Sequence, residues 1–248
     1  MITFEEIKQD PAIRTYIKKA DESLINLGFT EHSFAHVGLV AANSKYILET
    51  LGYSPREVEL VQIAAYLHDI GNLVNRIDHS QSGAVMAFRI LDKMGFPPEE
   101  TATIITAIGN HDEGTAFPVN AVAAALILAD KTDVRANRVR NIDPATYDIH
   151  DRVNSSVRES KVTLENGEVR LTLTIDTKMC AVMDYFEIFL DRMILCRKAA
   201  EARHQLFAGA VVHAAQLRGE DGLENVVDAG NDIGRAAEIG VQRDGGRA

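Results

Sequence analysis

Five of the eight histidines in this 248-residue chain, His32, His36, His68, His79 and His111, fall within the span 32–111. Number decides little here; company decides more. His68 stands beside Asp69 in AYLHDIGN (65–72), at the end of an apolar run where core is expected. A carboxylate buried there is strongly unfavourable unless positive charge meets it. His36 lies in HSFAHVGLVAA, His79 in NRIDHSQSGA and His111 in AIGNHDEG, while Asp130 follows the apolar run of ALILADKTD, where an acid is unexpected. Imidazole nitrogens with carboxylate oxygens and no thiolates suit Mn, Fe, Ni, Co or Zn in a catalytic rather than a structural site. A carboxylate has two oxygens and can bridge two ions, so Asp69 is the natural bridge, with imidazoles dividing the outer positions. Two ions about 3.5–4 Å apart hold a water as hydroxide and neutralise a phosphoryl group during in-line attack. In that reading metal charge compensates the acid beside His68.

The elements that must position these groups are helices. Asp10-Pro11 is a helix start, and Ile13, Tyr16, Ile17, Ala20, Leu24 and Leu27 keep a helical stripe until Gly28. Thr30 is expected to cap a second helix ending at Gly52, which would put His32 and His36 one turn apart on one face. Ser54-Pro55-Arg56-Glu57 is a capping box opening a third helix that ends at Gly71. Further helices are expected over about 79–95, 98–109 and 119–133, with short connections that favour a compact bundle. Bundled helices can aim groups at their ends toward one point.

The second half reads differently. VTLENGEVRLTLTID (162–176) alternates around Asn166-Gly167, a strong hairpin signal, and a long helix is expected over about 178–202. Cys180 and Cys196 fall in that helix, about 24 Å apart along its axis, too far to bridge, which fits a reducing cytoplasm. Residues 205–248 hold eight of the seventeen glycines and no lysine. The expected division is therefore a helical metal-binding domain over 1–204, carrying the hairpin, and a Gly-rich, poorly ordered tail over 205–248.

KTDVRANRVR (131–140) sets Lys131, Arg135, Arg138 and Arg140 against one acid, Asp133, within a chain of net charge −10. Guanidinium groups grip phosphate oxygens with paired donors. Lys131, Arg135 and Arg76 are thus candidates for substrate binding, and His32 for substrate contact. Asp112 and Glu113 read as proton-handling or solvated loop charges, and Asn72 and Asn75 as ligand-orienting or turn residues.

The order His36, His68-Asp69 and a distant helical Asp130 resembles the signature of the HD-domain metal-dependent phosphohydrolases, and the added His79 and His111 resemble its two-metal version. The stretches GFTEHSFAHV, AYLHDIGN, DHSQSGA, IGNHDEGT and ILADKTDVRANRVR are similar to a branch of uncharacterised bacterial HD-domain proteins, over roughly residues 25–200. The resemblance implies a mainly α fold, an HD-type helical bundle with a small hairpin excursion and a long C-terminal helix. It implies hydrolysis of a phosphomonoester or phosphodiester, a nucleotide or small phosphate ester. It also implies His36, His68, Asp69, His79, His111 and Asp130 as ligands of divalent metal ions, two in number, from among Mn, Fe, Ni, Co, Zn and Mg. His68 and Asp69 are then the catalytic pair. His32 has no counterpart in the minimal pattern.

The net charge of −10 argues against broad nucleic-acid or anionic-membrane binding. No apolar run reaches the roughly 18 residues of a membrane span, and the acidic MITFEEIKQD start predicts no secretory signal. A cytoplasmic protein acting on a phosphate-containing small molecule is expected, with the hairpin and long helix leaving room for a homo-oligomer. Two rival functions use the same residues. One is a di-iron oxygenase on the same fold, which the arginine-rich segment does not favour. The other is a non-catalytic metal- or nucleotide-binding sensor, which a full ligand set argues against.

Overall fold

Capping chemistry decides where the helices of the first half begin. The computed structural model describes residues 1–165, 168–206, 212–218 and 224–227. Thr3 and Glu6 close a capping box on α1 (Phe4–Gln9), a short helix the sequence reading did not contain. The Asp10 side chain accepts from the Ala12 and Ile13 amides and starts α2 (Pro11–Asn26). Ser33, not Thr30, caps α3 (Phe34–Thr50), so His32 lies in the turn before the helix rather than on its face. The capping box of Ser54 and Glu57 opens α4 (Pro55–Leu67), as its sequence predicts. Three more helices follow: α5 (His79–Met94), α6 (Pro98–Gly109) and α7 (Ala121–Lys131).

α4 ends at Leu67, short of the expected Gly71, and a 3₁₀ turn over Ile70–Leu73 follows. α5 approaches this turn closely. A Cβ on residue 71 would sit 1.9 Å from the His79 carbonyl oxygen and 2.5 Å from the Gly83 nitrogen. Only glycine lets the start of α5 dock here, which brings His79 close to the His68-Asp69 turn.

The chain divides into two compact units, Met1–Asp133 with Asp191–Ala208, and Val134–Leu190 with Gly209–Ala248. The boundary expected at residue 204 does not coincide with this division. In the first unit α3 packs on α4 and α7, α5 on α6, and α4 on α6 and α7. Ile13, Leu24, Ile47, Ile63, Leu67 and Ile104 are fully buried within it. α7 is buried at every residue from Val122 to Lys131, which explains the unbroken apolar run before Asp130. Arg56 ties three segments together: its Nη1 donates to the Ile2 carbonyl at 2.9 Å, its Nε donates to Glu100 Oε1 at 2.8 Å, and it also pairs with Glu59.

The second unit holds α8 (Ile149–Ser156) and a sheet of order β1-β2-β3-β4. β1 (Val157–Glu165) and β2 (Glu168–Ile175) are antiparallel, with Val162 opposite Leu171. The Asn166-Gly167 turn lies outside the described residues. β1 begins five residues earlier than the expected hairpin because α8 passes directly into it. β3 (Val212–Arg218) runs parallel to β2, and β4 (Glu224–Val227) antiparallel to β3. The Gly-rich stretch expected to be a poorly ordered tail therefore supplies the last two residues of a helix and two strands; the remainder of it lies outside the described residues. α9 (Val182–Leu206) is shared between the units, and Cys180 precedes it instead of lying within it; both cysteines are free thiols. Among the described residues no helix is long and apolar enough to cross a membrane.

Two outcomes follow from this packing. Gly71→Ala should cost about 3 kcal/mol through overpacking, read as a lower urea midpoint at unchanged slope. Glu100→Gln should cost about 1–2 kcal/mol at pH 7, also by urea unfolding. The Arg56 guanidinium holds the Glu100 carboxyl below its ordinary value of 4.5. A lowered folded-state pKa stabilises fully above the ordinary value and ceases to as pH falls through the lowered one. The gap between wild type and Glu100→Gln should accordingly persist from pH 7 to about 5 and close on further acidification.

Candidate metal centre

Helix termini build the site. His36 is the third residue of α3, His68 and Asp69 immediately follow α4, and His79 is the first residue of α5. His111 comes two residues after α6, and Asp130 is the penultimate residue of α7. Asp78, at φ 57°, turns the chain into α5. All six side chains are buried.

The backbone at those termini sets the imidazole tautomers. His68 Nδ1 donates to the Ala65 carbonyl at 2.7 Å, His79 Nδ1 to the Arg76 carbonyl at 3.1 Å, and His111 Nδ1 to the Ile108 carbonyl at 2.6 Å. Each acceptor is the carbonyl three residues earlier. Carbonyls only accept, so in each neutral ring Nδ1 carries the hydrogen and Nε2 keeps its lone pair. His36 Nδ1 does the same toward Asp133 Oδ2 at 2.8 Å. Four Nε2 atoms thereby face inward.

Around them the two oxygens of Asp69 divide. Oδ2 lies 3.1 Å from His68 Nε2 and 3.5 Å from His36 Nε2. Oδ1 lies 3.5 Å from His79 Nε2 and 3.9 Å from His111 Nε2. Asp130 Oδ1 completes the first side, 3.3 Å from His36 Nε2 and 3.6 Å from His68 Nε2. On the second side His79 Nε2 and His111 Nε2 are 3.2 Å apart.

These residues fit divalent ions. Two ligand atoms about 2.1 Å from one ion, at tetrahedral or octahedral angles, stand about 3.0–3.4 Å from each other, close to the separations found here. His68 Nε2 and Asp69 Oδ2 are buried and form no hydrogen bond although 3.1 Å apart. With His68 neutral these are acceptors turned on one another in a dry site, an arrangement that calls for a proton or a metal ion between them. Two groups, His36–His68–Asp130 and His68–Asp69–His111, bring all their ligand atoms within 4.8 Å. Burial alone would lower the His68 pKa, but Asp69 and Asp130 overcome it and hold the ring up at about 10. Against the effect of burial, His68 keeps Asp69 well below the carboxylate range and Lys131 does so for Asp130. His111 and His79 are pushed down, chiefly by burial. A proton on His68 thus supplies positive charge that a metal ion would replace.

A second ring of residues holds the first. Asn72 Nδ2 donates to the Asp69 carbonyl at 2.9 Å and to Asp69 Oδ1 at 3.0 Å, so the asparagine both makes the turn and orients the acid. Lys131 Nζ lies 2.7 Å from Asp130 Oδ2 and 3.8 Å from Glu113 Oε1, which accepts from Arg192 Nε at 2.7 Å. Asp112 Oδ1 is 4.0 Å from His79 Nε2.

Of the substrate-binding candidates, Lys131 is buried against the centre. Arg76 Nη1 lies 3.5 Å from His79 Nε2, with its guanidinium 5.4 Å from the Phe29 ring centroid. The His32 ring is 5.4 Å from that of His36, and its Nδ1 donates to the Thr30 carbonyl. Arg135 belongs to the second unit. The partner of His36, Asp133, was read only as an acid among arginines. Its signal was its spacing, one helical turn past Asp130 and next to an uninterrupted buried helix. The pairing of Glu113 with Arg192, 79 positions apart, has no local signal.

Residues 33–143 match the protein family described as HD domain. An uncharacterized protein of Methanocaldococcus jannaschii is 28% identical over 188 residues, covering 66% of this chain and 71% of the relative. Among solved structures, a predicted HD superfamily hydrolase from an uncultured Thermotogales bacterium is 25% identical, with a TM-score of 0.40, covering 54% of this chain and 75% of that one.

Removing the charge behind His36 isolates the supporting role of Asp133. Asp133→Asn keeps an acceptor for Nδ1 but makes the imidazole a poorer donor of electrons, and Mn²⁺ or Zn²⁺ affinity should fall about 10- to 100-fold, as measured by calorimetry on metal-stripped protein.

Proposed function

With residues 33–143 forming an HD domain, we propose that the protein is a metal-dependent phosphohydrolase cleaving a phosphomonoester or phosphodiester, with two divalent ions in the centre described above. The observation that carries the reading is the division of Asp69: one oxygen faces His36 and His68, the other His79 and His111. His36, His68, Asp130 and Asp69 Oδ2 would hold one ion; His79, His111 and Asp69 Oδ1 would hold its neighbour. Bound there, divalent ions supply a water made nucleophilic at neutral pH and positive charge against the phosphoryl oxygens.

The protein's own groups do the rest. Asp133 and the Ala65, Arg76 and Ile108 carbonyls hold a hydrogen at each Nδ1 and aim the imidazole Nε2 atoms inward. Lys131 offsets the charge of Asp130 at Oδ2, leaving Oδ1 for the ion. Arg76, half-buried at the His79 side, and His32, beside His36, would receive non-reacting phosphate oxygens. Asp112 Oδ1 is the carboxylate placed to accept or return a proton. The net charge of −10 supports a small phosphate-containing substrate over a long polyanion. Reaction class follows from this chemistry; selectivity depends on pocket walls.

His68→Ala and Asp69→Ala should each lose bound metal by mass spectrometry and at least about 10³-fold in turnover. The assay is a panel of nucleotides and simple phosphate esters with Mn²⁺ or Fe²⁺. Turnover that survives in both variants would remove the hydrolase assignment, and oxygen consumption with a carbon substrate would replace it with an oxygenase.

A further inference from the structure

The two sides of the centre are not equivalent. On the Oδ2 side, His68 Nε2 and Asp69 Oδ2 are buried without a hydrogen bond. On the other side Oδ1 already accepts from Asn72 Nδ2 at 3.0 Å. The Asn72 carbonyl oxygen in turn accepts from Arg76 Nη1 at 3.2 Å, and that same guanidinium nitrogen stands 3.5 Å from His79 Nε2. His79 Nδ1 is committed to the Arg76 backbone carbonyl, so the Nε2 lone pair is what the cation meets. Residue 76 thus holds the ring with its backbone and covers the ring's ligand atom with its side chain. The guanidinium is braced against the Phe29 ring at 5.4 Å. Unlike the ligands it is only half-buried, on a loop where Val74 and Ile77 are exposed. It can leave without disturbing the core.

We propose that Arg76 is a resident counter-charge for the second metal position, which gives way to an ion only when an anion draws it off. The proposal rests on the two-ion reading above and adds an order to it. The first ion goes to the His36–His68–Asp130 side, where the nearby cation Lys131 is engaged at Asp130 Oδ2 and leaves Oδ1 and the imidazole Nε2 atoms facing inward. The second meets a fixed positive charge within a few ångströms of its own ligands, a repulsion that is large at any protein dielectric. A phosphoryl oxyanion attracts both the guanidinium and the metal. Its arrival therefore offers Arg76 a new partner and vacates the space before His79 Nε2. Coupling of this kind is reciprocal: the anion tightens the second ion and the second ion tightens the anion. Without substrate, the centre would stay singly loaded.

The test uses the full chain, stripped of metal and titrated with Mn²⁺, with free ion counted by electron paramagnetic resonance and heats by calorimetry, with and without inorganic phosphate. Wild type should bind one ion tightly and a second at least about tenfold more weakly, and phosphate should tighten the second about tenfold. Arg76→Met, which keeps the length and removes the charge, should bind the second ion about tenfold more tightly without phosphate and lose most of the phosphate effect. Arg76→Lys keeps the charge and should keep the wild-type order, which separates charge from loop disturbance. Second-ion affinity in Arg76→Met no higher than in wild type would overturn the proposal, as would an undiminished phosphate effect. A wild type that takes up no Mn²⁺ would overturn the metal reading itself, and is distinguished by the first titration alone.

Discussion

Asp69 places two carboxylate oxygens among four imidazole lone pairs, in a region nearly closed to water. With the rings neutral, every inward-facing atom in that set is an acceptor. Without a cation the arrangement is electrostatically unfavourable, because acceptors at 3.1–3.9 Å gain nothing from each other and have lost water. Besides Lys131 on Asp130 Oδ2, the structure supplies positive charge as a proton on His68, whose pKa is held at about 10, and as the guanidinium of Arg76 beside His79. These last two are what divalent ions would displace. The same constraint explains why the neighbouring acids are each matched, Asp130 by Lys131 and Glu113 by Arg192.

Why helices should carry such a centre follows from their ends. Each terminus leaves backbone groups without intrahelical partners. His68, His79 and His111 use one carbonyl each, three residues back, to fix a ring nitrogen. The hydrogen bond that completes the backbone also selects the tautomer, so one arrangement serves stability and ligation. His36, in the first turn of α3, has no such carbonyl to use and takes Asp133 instead. That difference gives the buried Asp133 a role behind His36.

The sequence announces the helices well because their starts are written locally. Asp10-Pro11 and Ser54-Pro55-Arg56-Glu57 contain their own capping chemistry, and the structure uses it. Starts that depend on distant partners are less legible. Thr30 and Ser33 are equally plausible caps by type, and the choice of Ser33 leaves His32 in the turn before α3. The glycine at 71 could not be explained either, because what requires it is the distant His79, whose carbonyl oxygen would lie 1.9 Å from a Cβ on residue 71. In the metal centre, residue types and helix-end positions were readable. The pairing of His36 with Asp133 over 97 positions was not, since nothing short-range encodes it. The strands β3 and β4 were hidden for a related reason: a Gly-rich composition masks segments that become strands only by adding to an edge made elsewhere.

Glycine at positions 71 and 83 shows how tightly the centre is coupled to packing. A Cβ on Gly83 would come 3.1 Å from the His68 carbonyl and 3.3 Å from the Gly71 nitrogen, so each glycine makes room for the backbone of the other's segment. This reciprocal approach brings the start of α5 against the turn that follows α4 without any side chain between them. The consequence is chemical. Asp69 Oδ1 could not lie 3.5 Å from His79 Nε2 if a methyl group separated the two segments. Dense backbone contact is also stiff, which holds the imidazoles and acids in place while the more exposed Arg76 loop remains free to respond to what arrives. Rigidity at the glycines and freedom at Arg76 are therefore complementary requirements of one site: the ligands must stay where they are for the cation beside them to be exchangeable.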